Sequence, residues 1–463
     1  MITWIKNFFQ IQERKSTITK EILGGLTIFL AMVYILPVNA GMLSATGMSF
    51  AAVFAATALA SAIASIIMGA YAKYPVGLAS GMGINAFFTY TIVFTLGFSW
   101  QEALAAVFIS GILFLIVTIS GLRQKVINSI PKDLKLGIGA GIGFFIAFIG
   151  LKNAGIVVGN PATLVGLGDL THPTVLLGLF GIMLVFVLFA INKKISNFAI
   201  IISIFATGIF GWLLGIVFPS LAIVMPTFSS VNLGSVGDIS ETFGQAFIAI
   251  PSLLSNPMAY AVIFTLLFVD FFDTAGTLVA VGNDAGLLNK DGELVDGNKA
   301  LMADSIGTIA GSILGTSTVT SYIESTTGIQ QGARTGLSAV VVGILFVLAL
   351  LFYPLFAIVG SIDIGGGVFL SPATALALVF VGTMMISSLK SINWEDKIVV
   401  ISIFMTIIIM MLSFSIADGI AFGFITYTVM KLFTKERSEV SLFMYGVSLL
   451  FIINFIVQFV ILK

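Results

Sequence analysis

The chain alternates between long apolar stretches and shorter polar loops along most of its 463 residues. Stretches of membrane-spanning length form two series of seven, on either side of a long polar linker at 218–257. They lie near 22–44, 50–70, 83–97, 102–121, 136–158, 173–191 and 197–217, and then near 258–282, 299–314, 318–330, 335–358, 371–388, 397–415 and 417–433. About 20 apolar residues in a helix cross the hydrocarbon core of a bilayer. The pattern therefore predicts an all-α polytopic membrane protein with 14 transmembrane segments.

The two ends of the chain depart from this pattern. Residues 1–21 are charged throughout and lack the continuous apolar core of a signal peptide. Their apolar positions, among them Trp4, Phe8 and Ile11, predict a short amphipathic helix on the membrane surface. At the other end, residues 434–463 consist of a charged patch and a further apolar run. That run is either an extra span or an interfacial helix, and the sequence leaves both alternatives open.

The basic residues predict the orientation of the chain. If the segments alternate, the Lys- and Arg-containing loops all fall on the side of the N-terminus, whereas the opposite loops, such as 218–256, contain almost none. The basic loops are KNFFQIQERK, RQKVINSIPKDLK, NKKIS, the loop around Lys290 and Lys299, SLKSINWEDK and KLFTKER. Cytoplasmic loops of membrane proteins carry this excess of positive charge. We therefore expect a multi-pass cell-membrane protein with its N-terminus in the cytoplasm.

The composition narrows the possible functions. Only 9% of the residues are charged and 58% are hydrophobic, with a mean hydropathy of +1.14. The net charge is zero and no basic arm is present, so we expect no nucleic-acid partner. The absence of cysteine excludes disulfides, thiolate metal sites and cysteine catalysis. The single histidine, His172, lies in the hydrophilic stretch GLGDLTHPT and is interpreted as a surface residue.

Two of the predicted segments are interrupted. Segment 3 is preceded by a stretch containing Pro75, Gly77 and Gly81, and segment 10 begins with the run TSTVT after Gly315. Short or Gly-interrupted segments at corresponding positions of two halves mark the binding site of many transporters. Because each half has seven spans, the halves must have inverted topology. We expect short extended stretches before half-helices there, lined by protein or a cavity, although glycines also serve close helix packing.

Three acidic residues lie inside or beside apolar segments. Asp270 and Asp273 are three residues apart in VIFTLLFVDFFDTAG and share a helical face, and Glu324 lies among small hydroxylated residues. An ionisable side chain near the bilayer centre costs about 2.5–3.5 kcal/mol on insertion scales, so such residues are functional candidates. The acids therefore predict a binding site inside the membrane.

Two other classes of protein compete with a transporter. A membrane-embedded aspartyl enzyme could use Asp270 and Asp273, but such a dyad normally takes its two acids from different helices. A channel would need rings of polar groups in a symmetric assembly. One acid cluster in a pseudo-repeat suits a carrier better.

Four motifs carry a family resemblance that covers nearly the whole chain: FLAMVYILPVNAGML, ASGMGINAFFTY, FVDFFDTAGTLVAVGNDAGLL and TSTVTSYIESTTGIQQGARTGL. Together they resemble the purine (AzgA-like) branch of the nucleobase–cation symporters. The resemblance implies two inverted repeats of seven segments. It implies a core domain of residues 22–121 and 258–358 and a gate domain of residues 122–217 and 359–433. It also implies uptake of hypoxanthine, guanine or adenine, generally with protons and without any other cofactor.

The resemblance also assigns site residues. Glu324 matches the base-binding carboxylate on segment 10, and Asp273 matches the carboxylate on segment 8, with Asp270 as its companion. Asn85 and the backbone at Ala86 match the contribution of segment 3. Ser325 and Thr277 are the remaining candidate contacts. Uracil and xanthine relatives carry a histidine close to the segment-8 acid, whereas this chain has Thr277 nearby, which argues against those substrates.

These assignments lead to specific roles. An ionised Glu324 accepts two N–H bonds and grips a planar base by one edge, unless it only caps the half-helix. An apolar environment favours the protonated form of Asp273, which suits a proton carrier, unless it is a structural hydrogen-bonding residue. Candidates to stack on a purine are Phe87, Phe88, Phe271 and Phe272, although core packing is the commoner role among 42 Phe. Asp304 and Asp284 are interpreted as cap or interface residues, and Lys152, Asn153 and Asp169 as loop anchors. The sequence leaves the oligomeric state, monomer or homodimer, open.

Overall fold

Helices make up most of the chain in the computed structural model. The residues it describes are 2–121, 130–191, 193–196, 198–226, 238–289, 294–360, 362–364, 369–437 and 440–461. Parts of several predicted features lie outside these ranges, among them the basic loop at 122–129, the middle of the linker at 227–237 and the loop at Lys290. The side chain of Phe272 also lies outside the described part.

The first half of the chain contains ten α-helices in its described residues. These are α1 (Ile2–Phe8), α2 (Ile18–Met32), α3 (Ile35–Ser44), α4 (Phe50–Ile67), α5 (Met82–Ala86), α6 (Trp100–Ile119), α7 (Lys132–Asn153), α8 (Pro173–Ile191), α9 (Lys193–Ser196) and α10 (Ala199–Val217). Helix α4 continues as a π-helix at Met68–Ala72, and α5 continues as a π-helix at Phe87–Thr95. Segment 3 is therefore a short helix behind an extended stretch, as predicted.

The second half also contains ten α-helices in its described residues. Its described helices are α11 (Gln245–Ser255), α12 (Met258–Ala285), α13 (Gly297–Leu314), α14 (Ser325–Gln330), α15 (Gly336–Ala349), α16 (Tyr353–Ala357), α17 (Pro372–Met385), α18 (Lys397–Leu412), α19 (Ile416–Leu432) and α20 (Leu442–Ile461). Short 3-10 helices lie at Pro219–Val224, Leu350–Phe352 and Ile386–Ser391. In the described part of the chain, eight helices are long and apolar enough to cross a membrane.

Polar residues at helix starts explain several of these boundaries. Ser99 forms a capping box with Glu102 at the start of α6. The side chains of Ser49, Thr335 and Asp396 accept backbone N–H bonds in the first turns of α4, α15 and α18. A capping side chain satisfies donors that have no intrahelical partner, so each helix begins where the sequence supplies one.

Within the described ranges, six short strands form three two-stranded antiparallel ladders. The all-α prediction left these out apart from the two extended stretches. The strands are β1 (Leu78–Ser80), β2 (Val157–Asn160), β3 (Leu164–Leu167), β4 (Val319–Ser321), β5 (Ile362–Asp363) and β6 (Phe369–Leu370). They pair as β1 with β4, β2 with β3, and β5 with β6. The β2–β3 hairpin follows α7 in a region that the sequence assigned to a loop.

The linker at 218–257 is more ordered than its polarity suggested. Its described part contains the helix α11, which packs on α6, where the rings of Phe247 and Phe108 have centroids 4.8 Å apart. Pro251 lies inside this helix. The apolar face of α11 explains the packing, because it covers an apolar part of α6 that would otherwise be exposed.

Helix packing divides the molecule into two groups. Helices α2, α4, α6, α13 and α15 pack extensively on one another, and so do α7, α8, α10, α17, α18 and α19. Glycines permit close approach within each group. A Cβ atom at Gly336 would lie 1.9 Å from the carbonyl oxygen of Gly69, and one at Gly382 would lie 2.4 Å from that of Gly143. Small residues at such crossings are typical of helix packing in membranes.

Candidate functional site

The extended stretches of segments 3 and 10 meet beside α4 and α13, which belong to the first of the two groups of helices. Strands β1 and β4 are antiparallel, with Leu78 opposite Ser321, Ala79 opposite Thr320 and Ser80 opposite Val319. All six residues are buried. Helix α5 follows β1 and helix α14 follows β4. Because the strands are antiparallel, the two short helices leave the ladder at opposite ends.

Backbone and side-chain bonds extend this ladder on both sides. The amide of Gly81 donates to the carbonyl of Thr318 at 3.0 Å, and the amide of Tyr322 donates to the carbonyl of Gly77 at 3.1 Å. The amide of Gly77 donates to Ser325 Oγ at 3.0 Å. These bonds matter because an unpaired backbone group inside a membrane costs several kcal/mol. The non-helical chain is therefore stable at this depth.

Glu324 lies immediately before α14, and its side chain is half-buried. Its Oε1 accepts a hydrogen bond from the hydroxyl of Tyr34, with 2.6 Å between the two oxygens. Tyr34 lies in the break between α2 and α3 and is wholly buried. No pattern in the sequence distinguished this tyrosine, because the two residues are 290 positions apart.

Asp273 lies in α12 and is half-buried like Glu324. It is close enough to interact electrostatically with Glu324. A Cβ atom at Gly81 would lie 3.5 Å from Asp273 Oδ2, so the carboxylate lies against the chain at the start of α5. Thr277, one turn further along α12, is also half-buried. The acids of segments 8 and 10 thus face a common region beside the β1–β4 ladder.

Asp270 has different neighbours from Asp273. It is 1% exposed, and its Oδ2 accepts a hydrogen bond from Thr308 Oγ1 of α13 at 3.3 Å. The same Oγ1 lies 3.1 Å from the carbonyl oxygen of Val319 in β4. Asp270 therefore connects α12, α13 and the ladder through Thr308.

Asp304 is a buried acid that does not lie at a helix end, which was one of the two positions considered for it. It is fully buried in the middle of α13, and its Oδ2 accepts from Thr274 Oγ1 at 2.8 Å. Thr274 also contacts Thr320 Oγ1 at 3.0 Å. The helix α13 begins at Gly297, within a polar stretch, so Asp304 lies two turns inside the helix. The polarity of that stretch made Asp304 resemble a residue near a helix end.

Asn85 and Ala86 lie in α5 and are buried. Asn85 Oδ1 accepts from Ser80 Oγ at 3.1 Å and from Ser317 Oγ at short range. Its Nδ2 is buried and has no hydrogen-bond acceptor among the described residues. The amide therefore holds β1 and the residues before β4 together and keeps two N–H donors available.

A second buried asparagine, Asn39, lies close to the residues that precede β4. Asn39 Nδ2 in α3 donates to Thr57 Oγ1 at 2.7 Å and to Thr316 Oγ1 at 2.8 Å. The signal in the sequence was the motif NAGML, which is echoed by NDAGLL in the second half. Ser325, a predicted contact, is likewise fully buried, and its hydroxyl accepts from Gly77.

Three of the four candidate stacking residues are core residues, and the fourth, Phe272, has its side chain outside the described part. Phe88 is fully buried, Phe87 is 2% exposed and Phe271 is 5% exposed. Phe271 packs edge-on against Phe114 in α6, with ring centroids 6.5 Å apart. Within the described ranges, no group of three or more acidic, histidine or cysteine residues has the spacing of a metal site.

Lys152 and Asn153 do more than anchor a loop. Asn153 Oδ1 accepts from the hydroxyl of Tyr90 at 3.0 Å, and Lys152 Nζ lies 4.5 Å from the centre of the Tyr90 ring. One residue on, Thr91 Oγ1 donates to the carbonyl of Phe414 at 2.9 Å. These contacts join the π-helix after α5 to the end of α7 and to the α18–α19 turn.

Comparisons with known proteins agree with the fold. A family model described as the permease family matches residues 19–422. The guanine/hypoxanthine permease PbuG of Bacillus subtilis is 44% identical over 461 residues, which is 98% of this chain and 99% of that protein. The adenine permease AdeP of Escherichia coli is 40% identical over 452 residues, 98% of this chain and 96% of that protein.

Among solved structures, the transmembrane domain of a cyanobacterium bicarbonate transporter, BicA, superposes with a TM-score of 0.59. The alignment covers 87% of this chain and 97% of that one, at 15% sequence identity. At this identity the likeness concerns the fold alone.

Proposed function

Because this chain belongs to the permease family, we propose that it imports purine nucleobases together with protons by alternating access. It is a multi-pass membrane transporter and not an enzyme, since its relatives are permeases and its structural neighbours are transporters. The aspartyl-enzyme alternative is therefore wrong. The names of the relatives favour guanine and hypoxanthine, with adenine as the main alternative.

One observation supports the substrate class above the others: the half-buried Glu324 carboxylate beside the paired strands. Each carboxylate oxygen has two lone pairs, so the bond from Tyr34 leaves acceptor capacity on both oxygens. An ionised Glu324 then accepts from two adjacent N–H groups of a base. Guanine presents N1–H beside its exocyclic amine, and hypoxanthine presents N1–H. We propose Glu324 as the residue that grips this edge.

The 6-oxo oxygen of guanine or hypoxanthine, in contrast, needs a hydrogen-bond donor from the protein. Asn85 supports this role because its Nδ2 has no acceptor among the described residues. Adenine has an amine in place of this oxygen and an unprotonated N1 that would face the carboxylate. We therefore propose guanine and hypoxanthine ahead of adenine. Adenine remains the strongest competitor, because it can turn to present its amine with N7–H.

The acids also support a proton, rather than an anion, as the ion that is transported together with the base. Asp273 and Glu324 are half-buried carboxylates close to each other, and two such charges repel. A proton shared with this pair relieves the repulsion, whereas an anionic substrate would increase it. We propose Asp273 as the proton carrier, because Glu324 already accepts a strong hydrogen bond from Tyr34.

Alternating access requires two parts of the protein that move relative to each other. We propose that residues 22–121 and 258–358 form the core and that 122–217 and 359–433 form the gate, as two inverted repeats of seven segments. The packing of helices within two groups supports this division. The N-terminus and the basic loops are proposed to face the cytoplasm of a cell membrane.

Uptake into liposomes tests the proposal directly. The purified chain is reconstituted, and entry of labelled hypoxanthine is measured with and without an inward proton gradient. We expect the gradient to accelerate uptake, and unlabelled guanine to compete better than adenine, xanthine or uracil. If adenine competes best, the proposed pose at Glu324 is wrong. If no purine enters under any gradient, the substrate class is wrong.

A further inference from the structure

We propose that Tyr34 is a positioning residue that keeps the Glu324 carboxylate ionised and thereby makes the site prefer purines that present N–H donors. This inference rests on the proposed function, because it assigns the selectivity of the same site. The Tyr34 hydroxyl donates to Glu324 Oε1 over 2.6 Å, a distance typical of a strong bond to a carboxylate. The tyrosine is wholly buried and its hydroxyl is already bonded to Glu324, so its role is exerted through that carboxylate.

The position of Tyr34 fixes the geometry of this bond. The residue lies where segment 1 is interrupted, between Met32 at the end of α2 and Ile35 at the start of α3. Its neighbours along the chain are also buried. A tyrosine held on all sides cannot follow a carboxylate that moves, so the bond also fixes the direction of the Glu324 head group.

Other titratable groups near Glu324 do not replace this donor. Asp273 of α12 is a second acid close to Glu324, and an ionised carboxylate has no proton to donate. Tyr322, after β4, is also close to both acids, but its hydroxyl donates to the carbonyl of Ser80 at 2.5 Å. Burial in a membrane protein further favours a neutral acid. Among the side chains in the described part of the chain, the Tyr34 hydroxyl is thus the donor that stabilises the charged form.

The protonation state of Glu324 decides which edge of a purine fits. An ionised carboxylate only accepts, and it matches the N1–H edge of hypoxanthine or guanine. A protonated carboxyl group offers one donor beside one acceptor. That pattern matches adenine, whose N1 accepts while its 6-amine donates. Loss of the tyrosine hydroxyl should therefore move selectivity from 6-oxopurines towards adenine.

The variant Tyr34→Phe tests this, because it removes only the hydroxyl. Equilibrium binding of labelled hypoxanthine and adenine is measured for purified protein over a range of pH. We expect hypoxanthine affinity to fall about 10-fold or more near neutral pH, since a hydrogen bond to a charged group is lost. Adenine affinity should fall less or rise. Hypoxanthine binding to the variant should recover as the pH rises, because Glu324 ionises again.

A matched control is Tyr74→Phe. Tyr74 is also a buried tyrosine, but its hydroxyl donates to the carbonyl of Val295, away from the acids. Its removal should leave the ratio of adenine to hypoxanthine affinity and the pH profile as in the wild type. A Tyr34→Phe protein with the wild-type ratio and profile would overturn the inference.

The possible outcomes distinguish a failure of the proposed function from a failure of the role assigned to Tyr34. If the wild-type protein binds and transports no purine, the proposed function fails, whatever Tyr34 does. If the Phe variant does not fold, the wild-type protein is compared with Glu324→Gln by infrared spectroscopy near neutral pH. We expect no protonated-carboxyl band that the Gln variant lacks. Such a band would show a neutral Glu324 and would contradict the role of Tyr34.

Discussion

At the scale of single residues, the candidate site depends on two acids with different surroundings. Glu324 accepts a hydrogen bond from a wholly buried tyrosine, whereas Asp273 lies against the glycine that starts α5. Different environments separate the ionisation of neighbouring carboxylates, so that one can remain charged while the other exchanges a proton. This difference supports the separate roles that we propose for them.

Removal of the charge at Glu324 should weaken purine binding by about one to two orders of magnitude. In Glu324→Gln the base loses a charged acceptor, which costs roughly 1.5–3 kcal/mol, or about 10- to 150-fold in affinity. Binding to the purified protein is measured by calorimetry. The control is Glu102→Gln, the same change in the capping box of α6, outside the site. Wild-type affinity in Glu324→Gln would remove this residue from the site.

The variant Asp273→Asn should impair proton-driven uptake more than it weakens binding. An amide cannot release a proton, but it keeps a similar size beside Gly81. Uptake in liposomes is compared with and without a proton gradient, and Asp169→Asn, at an exposed loop acid, serves as the control. If the gradient still accelerates uptake by Asp273→Asn, the proton is carried by Asp270 or Glu324.

At the scale of elements, the short helices after the strands have different partners. A Cβ atom at Gly83 in α5 would meet Ile142 of α7 at 3.0 Å and Ile416 of α19 at 3.6 Å, both of them side-chain atoms. A Cβ atom at Gly328 in α14 would instead lie 2.5 Å from the carbonyl oxygen of Gly24. Helix α5 thus borders the proposed gate, whereas α14 packs against the backbone of α2.

The two glycines should therefore respond differently to substitution. Gly83→Leu should stop uptake without loss of folded protein, because its side chain obstructs movement between α5 and the gate helices. Gly328→Leu should lower the amount of folded protein, since the backbone of Gly24 cannot move aside for the added side chain. Uptake and the melting temperature are measured for both. Gly139→Leu is the control, because nothing lies within 4 Å of a Cβ atom there.

A normal rate of uptake by Gly83→Leu would show that α5 does not slide against α7 and α19. A fully folded Gly328→Leu protein would show that α14 packs less tightly against α2 than the distances indicate.

At the scale of the whole molecule, few polar contacts join the proposed core to the proposed gate. Tyr90 bonds to Asn153, and Thr91 bonds to the carbonyl of Phe414, which has a left-handed backbone with φ of 54°. Left-handed backbone is unfavourable for a bulky residue, so this turn is held by its surroundings. If the two bodies rotate during transport, these contacts must break.

A cross-link between the two bodies should stop transport. Because the chain has no cysteine, the pair Tyr90→Cys and Asn153→Cys reacts alone with a short, cleavable thiol cross-linker. We expect uptake to cease after cross-linking and to return after cleavage. Cysteines at Asn160 and Thr163, both in the β2–β3 hairpin, are the control within one body. Undiminished uptake by the cross-linked Tyr90–Asn153 pair would exclude this movement.

The sequence by itself determined the apolar segments, the two interrupted segments and the acids that lie within them. Hydrophobic runs and glycine breaks are local signals, because the bilayer imposes the same length and backbone requirements on every span. The bounds of the helices accordingly follow the predicted segments closely, as in α8, which matches 173–191. The roles of Glu324 and Asp273 remain predictions.

Only the tertiary structure decided which polar groups meet. The hydrogen bond of Tyr34 to Glu324 joins the first and tenth segments, and the place of Asp304 depends on how α13 packs against α12. The ladder between β1 and β4 likewise pairs residues from opposite halves of the chain. Such contacts depend on side-chain direction and on close packing over long sequence separations, which a hydrophobic pattern does not encode.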